Sequence, residues 1–355
     1  INYTEENQTK QLEIPIEKLA ITVFAGDEDA PKDEESAKIW KSLGIPEERI
    51  FYFGKSHNWW PTSRKDPVTG ELKNAFGLCG PDTEMFVWTG QEPAPEEFDL
   101  GNKKWVEIWN DVFMEFNRKE DGTLEELPQR NVDTGMGLER ALAVLNGKDN
   151  DYKIDLFEPI IKEIEKSKNN YSERSKRIIA DHLRAAVFLI AAGVKPDPKD
   201  SRGSVAHRLI TLSLYQENKQ LEQEIVDSII NVVILKYQDP YMELREDSLG
   251  PIHSEIHNVV GALSFLITGP VYNQMSEKLQ MDYKLPNANV EASGTISFYH
   301  QSMGIPEPVA FGAAQEIGFK LDEIKPVYEE KRREHQEKSK GIEAGKFKGG
   351  LADHS

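Results

Sequence analysis

Cysteine is nearly absent from this chain: Cys79 is the only one among 355 residues. A single thiol excludes an internal disulfide framework and any zinc site built from several cysteines of this chain. Basic charge is also scarce. Lysine and arginine total 43 against 61 aspartates and glutamates, a formal net charge of −18. That balance excludes a simple basic nucleic-acid-binding domain, although a local basic stripe can still act within an acidic whole. No apolar run approaches the roughly 20 residues of a membrane span, and no basic stretch leads into an apolar one near residue 1, so neither an anchor nor a signal peptide is expected. These absences together point to a cytoplasmic protein with no membrane contact.

What is present describes a globular protein, with 38% hydrophobic and 29% charged residues and enough length for two domains or more, each with its own core. LAITVF (19–24) reads as a buried strand running into the acidic turn AGDEDAP, and DEESAKIWKSLG as a helix closed by Gly44, followed by a short aromatic strand. Residues 56–80 shift to Asn, Trp, Pro, Gly and Lys, the composition of a long irregular loop. PDTEMFVWTG and KKWVEIWNDVFMEF read as strands rich in aromatic and β-branched residues. Beyond about residue 148 the pattern turns helical. KIDLFEPIIKEIEK, RSKRIIADHLRAAVFLIAAG and LEQEIVDSIINVVILKY carry apolar residues at three- and four-residue spacing, and Gly193 stands where a C-terminal cap is expected. From Asp322 to Lys348 a charged helix passes into a Gly-Lys linker. The predicted class is α+β, a β-rich half followed by a helical half.

Two segments raise chemical questions. In KKWVEIWNDVFMEFNR (103–118), strict alternation would turn Val106, Ile108, Asn110, Val112, Met114 and Phe116 to one face, with Asn110 its only polar member. A buried amide needs partners, so Asn110 either satisfies neighbouring backbone or meets a ligand. NVDTGMGLER (131–140) gathers a carboxylate, two glycines and an arginine. Asp133 or Thr134 could cap a helix whose apolar side is Leu138, Ala141, Leu142 and Leu145, closed by Gly147. Alternatively, Asp133 at a strand end could pair with an ammonium group, Gly135 and Gly137 could let a ligand approach the backbone, and Arg140 could hold phosphate or stack on a ring. On spacing alone the ordinary helix cap and surface salt bridge stand ahead of an amino-acid-plus-nucleotide site.

The segments HNWW (57–60), GPDTEMF (80–86), EIWNDVFMEFNR (107–118), VDTGMGLER (132–140), RIIADHLRAAVFLIAAGV (177–194) and KFKGGLADHS (346–355) resemble, in order, the alanyl-tRNA synthetase family. The likeness runs from about Leu19 to the last residue and is densest between 57 and 194. It implies a class II synthetase catalytic domain built on an antiparallel β-sheet, followed by a mostly helical tRNA-recognition domain. Residues 1–147 would form the C-terminal part of the aminoacylation domain, 148–335 the helical middle domain, and 336–355 a linker toward an editing domain. The implied activity is ATP-dependent activation of L-alanine to alanyl-adenylate and its transfer to the 3′ end of tRNA(Ala), with Mg²⁺. A regulatory paralogue that binds alanine or tRNA without adenylation is the alternative.

The resemblance also implies roles for matching residues. Arg140 would contact the adenine ring and the γ-phosphate end of ATP, with Gly137 and Glu84 nearby, and Asp133 would bind the alanine ammonium. Trp60, Asn110, Val112 and Gly135 would surround the amino acid, Val112 limiting side-chain size. The expectation is one shared cavity with Asp133 and Arg140 as the catalytic pair. Arg202, Arg208 and Gln301 would face tRNA. No metal ligand is implied, zinc belonging to the editing domain.

Departures from the family pattern are specific. Its first two signature motifs do not occur in the 18 residues before Leu19, so the chain is expected to be a piece of a longer protein. RKDPVTGELKNAF (64–76) separates the tryptophans from GLCGPDTE by more than is usual. GSVAHRLITLSL (203–214) has His207, Thr211 and Leu212 at usually basic positions, which implies weaker and less salt-sensitive RNA binding. PDPKDSRG (196–203) lacks an expected asparagine, and Gln301 replaces an expected aspartate. HSEIH (253–257) places two histidines at i, i+4, a spacing that can hold zinc, but with no cysteine nearby two solvent-facing histidines are expected. Asp181, His182 and Arg184 interrupt an otherwise apolar helix and are expected to be structural or RNA-facing.

Overall fold

A computed structural model describes residues 14–60, 64–65, 72–73, 77–119, 121–245, 248–303 and 305–343. The chain divides into two compact units at Asp155/Leu156. In the first, β1 (Leu19–Phe24) is buried along its whole length. Its odd-numbered residues Leu19, Ile21 and Val23 enter one core cluster, while Ala20 and Phe24 enter clusters on the opposite face, the period-two consequence of strand geometry. α1 (Glu34–Ser42) begins where the Asp33 side chain accepts the Ser36 backbone N–H at 2.9 Å, and Gly44 follows it at φ +93°, as the helix-stop reading anticipates. Ala37 and Trp40 of this helix cover the Leu19–Ile21–Val23 face.

β2 (Ile50–Phe53) runs parallel to β1. The stretch 56–80 is not wholly loop: it contains β3 (Trp59–Trp60), a short pairing of β4 (Arg64–Lys65) with β5 (Leu72–Lys73), and the start of β6 (Gly77–Trp88). The rest of the predicted insertion, 66–71 and 74–76, lies outside the described residues. β7 (Trp105–Arg118) and β8 (Leu124–Met136) complete a mixed, mostly antiparallel sheet of order β2-β1-β6-β7-β8, with β3 paired to β6. The α+β class read from the sequence is the one observed.

Two local expectations are corrected. Asp133 and Thr134 do not cap a helix. They lie inside β8, opposite Val112 and Asp111, and Trp109 Nε1 donates to Thr134 Oγ1 at 2.5 Å. The strand ladder outcompetes the local cap for these residues, and α2 (Leu138–Leu145) begins instead after Gly137, whose carbonyl accepts from Ala141 N at 2.8 Å. The alternation proposed for β7 also fails. Met85 pairs with Trp109 and Phe86 with Glu107, so Ile108 is an extra residue at a register shift. Such a bulge reverses the facing of everything beyond it. Val106, Ile108 and Trp109 therefore join the core beneath α1, while Asn110 pairs with Glu84 on the other face.

The second unit is helical: α3 (Glu158–Ile164), α4 (Glu173–Ala191), α5 (Gly203–Leu214), α6 (Gln223–Tyr237), α7 (Leu249–Thr268), α8 (Pro270–Asp282), α9 (Ala288–Met303), α10 (Glu307–Ile317) and α11 (Leu321–Glu343). Residues 336–343, read from the sequence as the start of a linker, are the end of α11; 344–355 lie outside the described residues. Ser172 caps α4 by accepting from Ser175 N, and Gly193 ends it at φ +85°. The apolar stripe of α4, Ile179, Leu183, Ala186, Val187 and Ile190, is buried. Arg184 of this helix donates to the Tyr237 hydroxyl at 3.2 Å and stacks over Phe157, and His182 sits 3.1 Å from Asp181. Arg184 thus makes the structural contacts that one of its two readings required.

Gly80 allows β6 and β7 to meet: a Cβ there would lie 1.8 Å from the Phe113 carbonyl oxygen. Gly80→Ala should destabilise the chain by about 1–3 kcal/mol or more, whereas Gly135→Ala, whose Cβ meets nothing within 4 Å, should stay within about 0.5 kcal/mol of the parent. Urea unfolding compares them, and a fully stable Gly80→Ala chain would contradict this strand packing.

Candidate functional site

The face of the sheet opposite α1 is apolar at two ends and polar between them. At one end Ala20, Phe86, Trp88 and Trp105 pack together with Phe98; at the other Phe24, Trp59 and Cys79 pack with Phe116. Between them the register aligns Thr22, Glu84, Asn110 and Gly135 in one row across β1, β6, β7 and β8, and Asp82, Val112 and Asp133 in the next.

Hydrogen bonds knit the first row. Asn58 Nδ2 donates to Thr22 Oγ1 at 2.8 Å and to Asp82 Oδ1 at 3.1 Å. Thr22 Oγ1 donates to Glu84 Oε2 at 3.1 Å, and Asn110 Nδ2 donates to Glu84 Oε1 at 3.2 Å. The Glu84 carboxylate is thereby held from both neighbouring strands. Asn58 and Thr22 are fully buried and Asp82 is 1% exposed. Among the described residues the buried oxygens Asn110 Oδ1 and Asn58 Oδ1 have no hydrogen-bond partner, an arrangement that costs free energy unless a donor arrives.

Negative charge is in surplus here. Burial, then the neighbouring Glu107 charge, pushes the Glu84 carboxyl up to about 7. Burial, then the charge of Glu84, pushes Asp82 up to about 8. The Glu84 charge opposes ionisation of Asp82, so the two protons belong to the pair rather than to either residue alone. The hydrogen bonds from Thr22 and Asn110, and after them the charge of Arg140, offset part of that rise at Glu84. Arg140 Nη1 lies 3.1 Å from Glu107 Oε2 and donates to the Glu107 carbonyl at 3.3 Å, and its aliphatic stem passes over Gly137, where a Cβ would meet it at 3.3 Å. A face carrying the Asp82, Glu84, Glu107 and Asp133 carboxylates, with the Arg140 guanidinium beside them, suits a cationic group, whether an ammonium or a divalent ion with oxygen ligands.

Of the expected residues, Asn110, Val112, Asp133 and Gly135 align on this face, with different exposures. Val112 is 8% exposed and stands directly opposite Asp133, an apolar floor beside an acid. Asp133, Gly135 and Arg140 are exposed on the outermost strand and the helix after it, so in this chain they border an open shelf. Trp60 is 42% exposed and pairs with Gly80; the neighbouring Trp59, 1% exposed, is a core residue stacked on Phe116. Sequence reasoning missed Asp82, Asn58, Thr22 and Glu107. A signal existed for Asp82: two acids at i, i+2 in an otherwise apolar strand must share a face.

Comparison with known proteins gives the family. The family described as tRNA synthetases class II (A) matches residues 1–353. The chain belongs to the class II (A) tRNA synthetases. Among curated relatives, an alanine–tRNA ligase of Borrelia hermsii is 38% identical over 96% of this chain and 56% of its own length. The alanine–tRNA ligases of Borrelia garinii subsp. bavariensis and Treponema denticola are 35% and 36% identical, over 97% and 98% of this chain and 57% of each relative. The chain thus spans a little over half the length of these relatives. Among the described residues no helix is long and apolar enough to cross a membrane.

In the helical unit of this synthetase chain, Arg202 precedes α5, its backbone N–H bonded to Asp200 Oδ2 at 3.0 Å. Arg208, His207, Thr211 and Ser204 of α5 line an open cavity of about 550 Å³ together with His300, Glu307 and Arg332. Gln301 belongs to α9, but its side chain lies outside the described residues.

The acid pair predicts a pH dependence. Asp82 and Glu84 bind protons more tightly in the folded chain than in the unfolded one, so their contribution favours the fold at low pH. It is lost as pH rises from the unfolded values of 3.8 and 4.5 through the folded values of about 8 and about 7. Asp82→Asn should flatten the fall of unfolding free energy over that window, by at most about 1.4 kcal/mol per pH unit. Urea titrations at pH 5 and 8 measure the difference, and identical slopes for parent and variant would refute the assignment.

Proposed function

We propose that this chain is part of an alanine–tRNA ligase, which joins L-alanine to ATP as alanyl-adenylate and passes the alanyl group to the 3′ end of tRNA(Ala). The observation that carries the reading is the β6–β7–β8 register, which sets Asp133 opposite Val112 and Gly135 opposite Asn110 on the face that holds Glu84. The relatives reported above are all named alanine–tRNA ligase, which favours the enzyme over a regulatory paralogue. The cytoplasm is the compartment the reading implies.

In this reading Asp133 receives the substrate ammonium, and Val112 meets the alanine methyl and opposes larger side chains. Asn110 offers its unpartnered Oδ1 to a substrate N–H or O–H, and Trp60 closes one side. The open space over Gly135 admits the ligand to the backbone. A pocket of this kind rejects larger residues by steric clash, but rejects glycine by only about 1–3 kcal/mol, the worth of one methyl. Arg140, now paired with Glu107, would exchange that carboxylate for ATP, stacking on the adenine and reaching the γ-phosphate, with Gly137 beneath it. Glu84 and Glu107 are oxygen donors of the type that Mg²⁺ accepts. Bound there, Mg²⁺ would neutralise charge on phosphate oxygens. In the helical unit Arg202, Arg208 and Gln301 would contact tRNA, fewer basic residues implying fewer phosphate contacts.

Alanine-dependent ATP–pyrophosphate exchange by the product of the complete reading frame tests the proposal, and no exchange from an intact, folded product would remove it. Within that protein, Asp133→Asn should weaken alanine by about 1–2 kcal/mol, roughly 5–30-fold, since an exposed carboxylate is partly screened. ATP affinity should hardly change. Equal losses for both ligands would indicate a structural role for Asp133.

A further inference from the structure

The two histidines of HSEIH are not simply solvent-facing. α6 and α7 bury their apolar stripes, Val226, Ile229, Ile230 and Val233 on one and Ile252, Ile256, Val259 and Val260 on the other. Beside this seam each helix presents a polar pair at i, i+4: Asp227 with Asn231, and His253 with His257. His253 Nδ1 lies 3.1 Å and His257 Nε2 lies 2.6 Å from the same oxygen, Asp227 Oδ1. One donor atom from each of the three residues falls within 4.8 Å of the other two.

We propose that Asp227, His253 and His257 form a binding site for a divalent first-row transition cation such as Zn²⁺, clamping α6 to α7. Two features beyond proximity support it. The first is the outer shell. His253 Nε2 lies 3.2 Å from Asn231 Oδ1; an amide oxygen there takes an N–H, which leaves Nδ1 with its lone pair aimed at the Asp227 oxygen. In that tautomer a cation, either a second ring proton or a metal ion, must lie between the two facing lone pairs, and a carbonyl holding the far nitrogen of a ligating histidine is the usual outer-shell arrangement. Gln223 Nε2 donates to Asp227 Oδ1 at 3.2 Å and orients that carboxylate. The second feature is spacing. Tetrahedral ligands bound at about 2.0 Å stand roughly 3.3 Å apart. The His253 separation is close to this already, the His257 contact must open by about 0.7 Å, and the two imidazole nitrogens start within 4.8 Å of each other. Two imidazoles and one carboxylate suit Zn²⁺, Co²⁺ or Ni²⁺ over Ca²⁺ or Mg²⁺. The side chains of His253, His257 and Asp227 are 17%, 42% and 35% exposed, so the site opens to water and its remaining coordination positions are accessible to solvent. The site lies in the helical unit and is independent of the alanine and ATP reading.

The test is titration of the chelator-treated chain with Zn²⁺ and with Co²⁺. One saturable equivalent is expected, with visible Co²⁺ absorption bands and a rise in the thermal midpoint on Zn²⁺ addition. Asp227→Asn and His257→Gln should abolish these responses, and Asn231→Leu should weaken binding by about 10–100-fold. Zn²⁺ should also protect His253 and His257 of the unaltered chain from diethyl pyrocarbonate, read by mass spectrometry, a result that needs no variant to fold. No saturable equivalent, no protection, or binding unchanged by Asp227→Asn would each overturn the proposal; in the first two cases the cluster is a proton-bridged ion pair only.

Discussion

Glu84 accepts a hydrogen bond from Thr22 on one neighbouring strand and from Asn110 on the other, while Asn58 holds Thr22 and Asp82 together. This network lets a strand as buried as β6 carry two carboxyls. Without it, desolvation of either acid would cost several kcal/mol. Its members come from β1, the turn before β3, β6 and β7, so the network also records the sheet order. It is incomplete, since Asn110 Oδ1 has no partner among the described residues.

The backbone irregularities of the sheet serve the same face. The extra residue at Ile108 turns Asn110 away from the core beneath α1 and toward Glu84, while leaving Ile108 inside that core. A regular strand could not supply both. Gly80 brings the strands close where the Trp59–Trp60 pairing begins. On β8, which carries Asp133 and Gly135, burial is slight, and these residues owe their positions to ladder bonds with β7 and to the Trp109–Thr134 hydrogen bond. A rigid, buried strand thus presents an exposed one, the usual division between scaffold and ligand-facing elements.

The helical unit is built by a different rule. Stripes at helical spacing bury themselves pairwise, and polar residues at the borders of the stripes meet across the seam. Arg184 with Tyr237, and Asp227 with the two histidines, are such border contacts. Their chemistry differs because their partners differ: a guanidinium over a ring and a hydroxyl is satisfied, whereas imidazole nitrogens grouped around one carboxylate oxygen have coordination capacity to spare.

Element type was legible from the residues themselves. β1, α1, β2 and α4 follow from periodicity and capping, because spacing and local hydrogen-bond competition operate within a few residues. The family was legible from six ordered segments, and with it came the expectation of roles for Asp133, Asn110, Val112 and Arg140. Facing was not. One inserted residue in β7 inverts the alternation beyond it, and whether a strand bulges depends on its neighbours on both sides. The same limit hid Glu107, which joins the site only because of that shift, and hid the partner of the HSEIH pair, since Asp227 lies 26 residues before His253. Sequence by itself determined the strands and helices that announce themselves by local spacing and caps, and which residue types can do chemistry. Tertiary structure decided which of them share a face, because register and helix pairing are set by contacts between segments far apart in the chain.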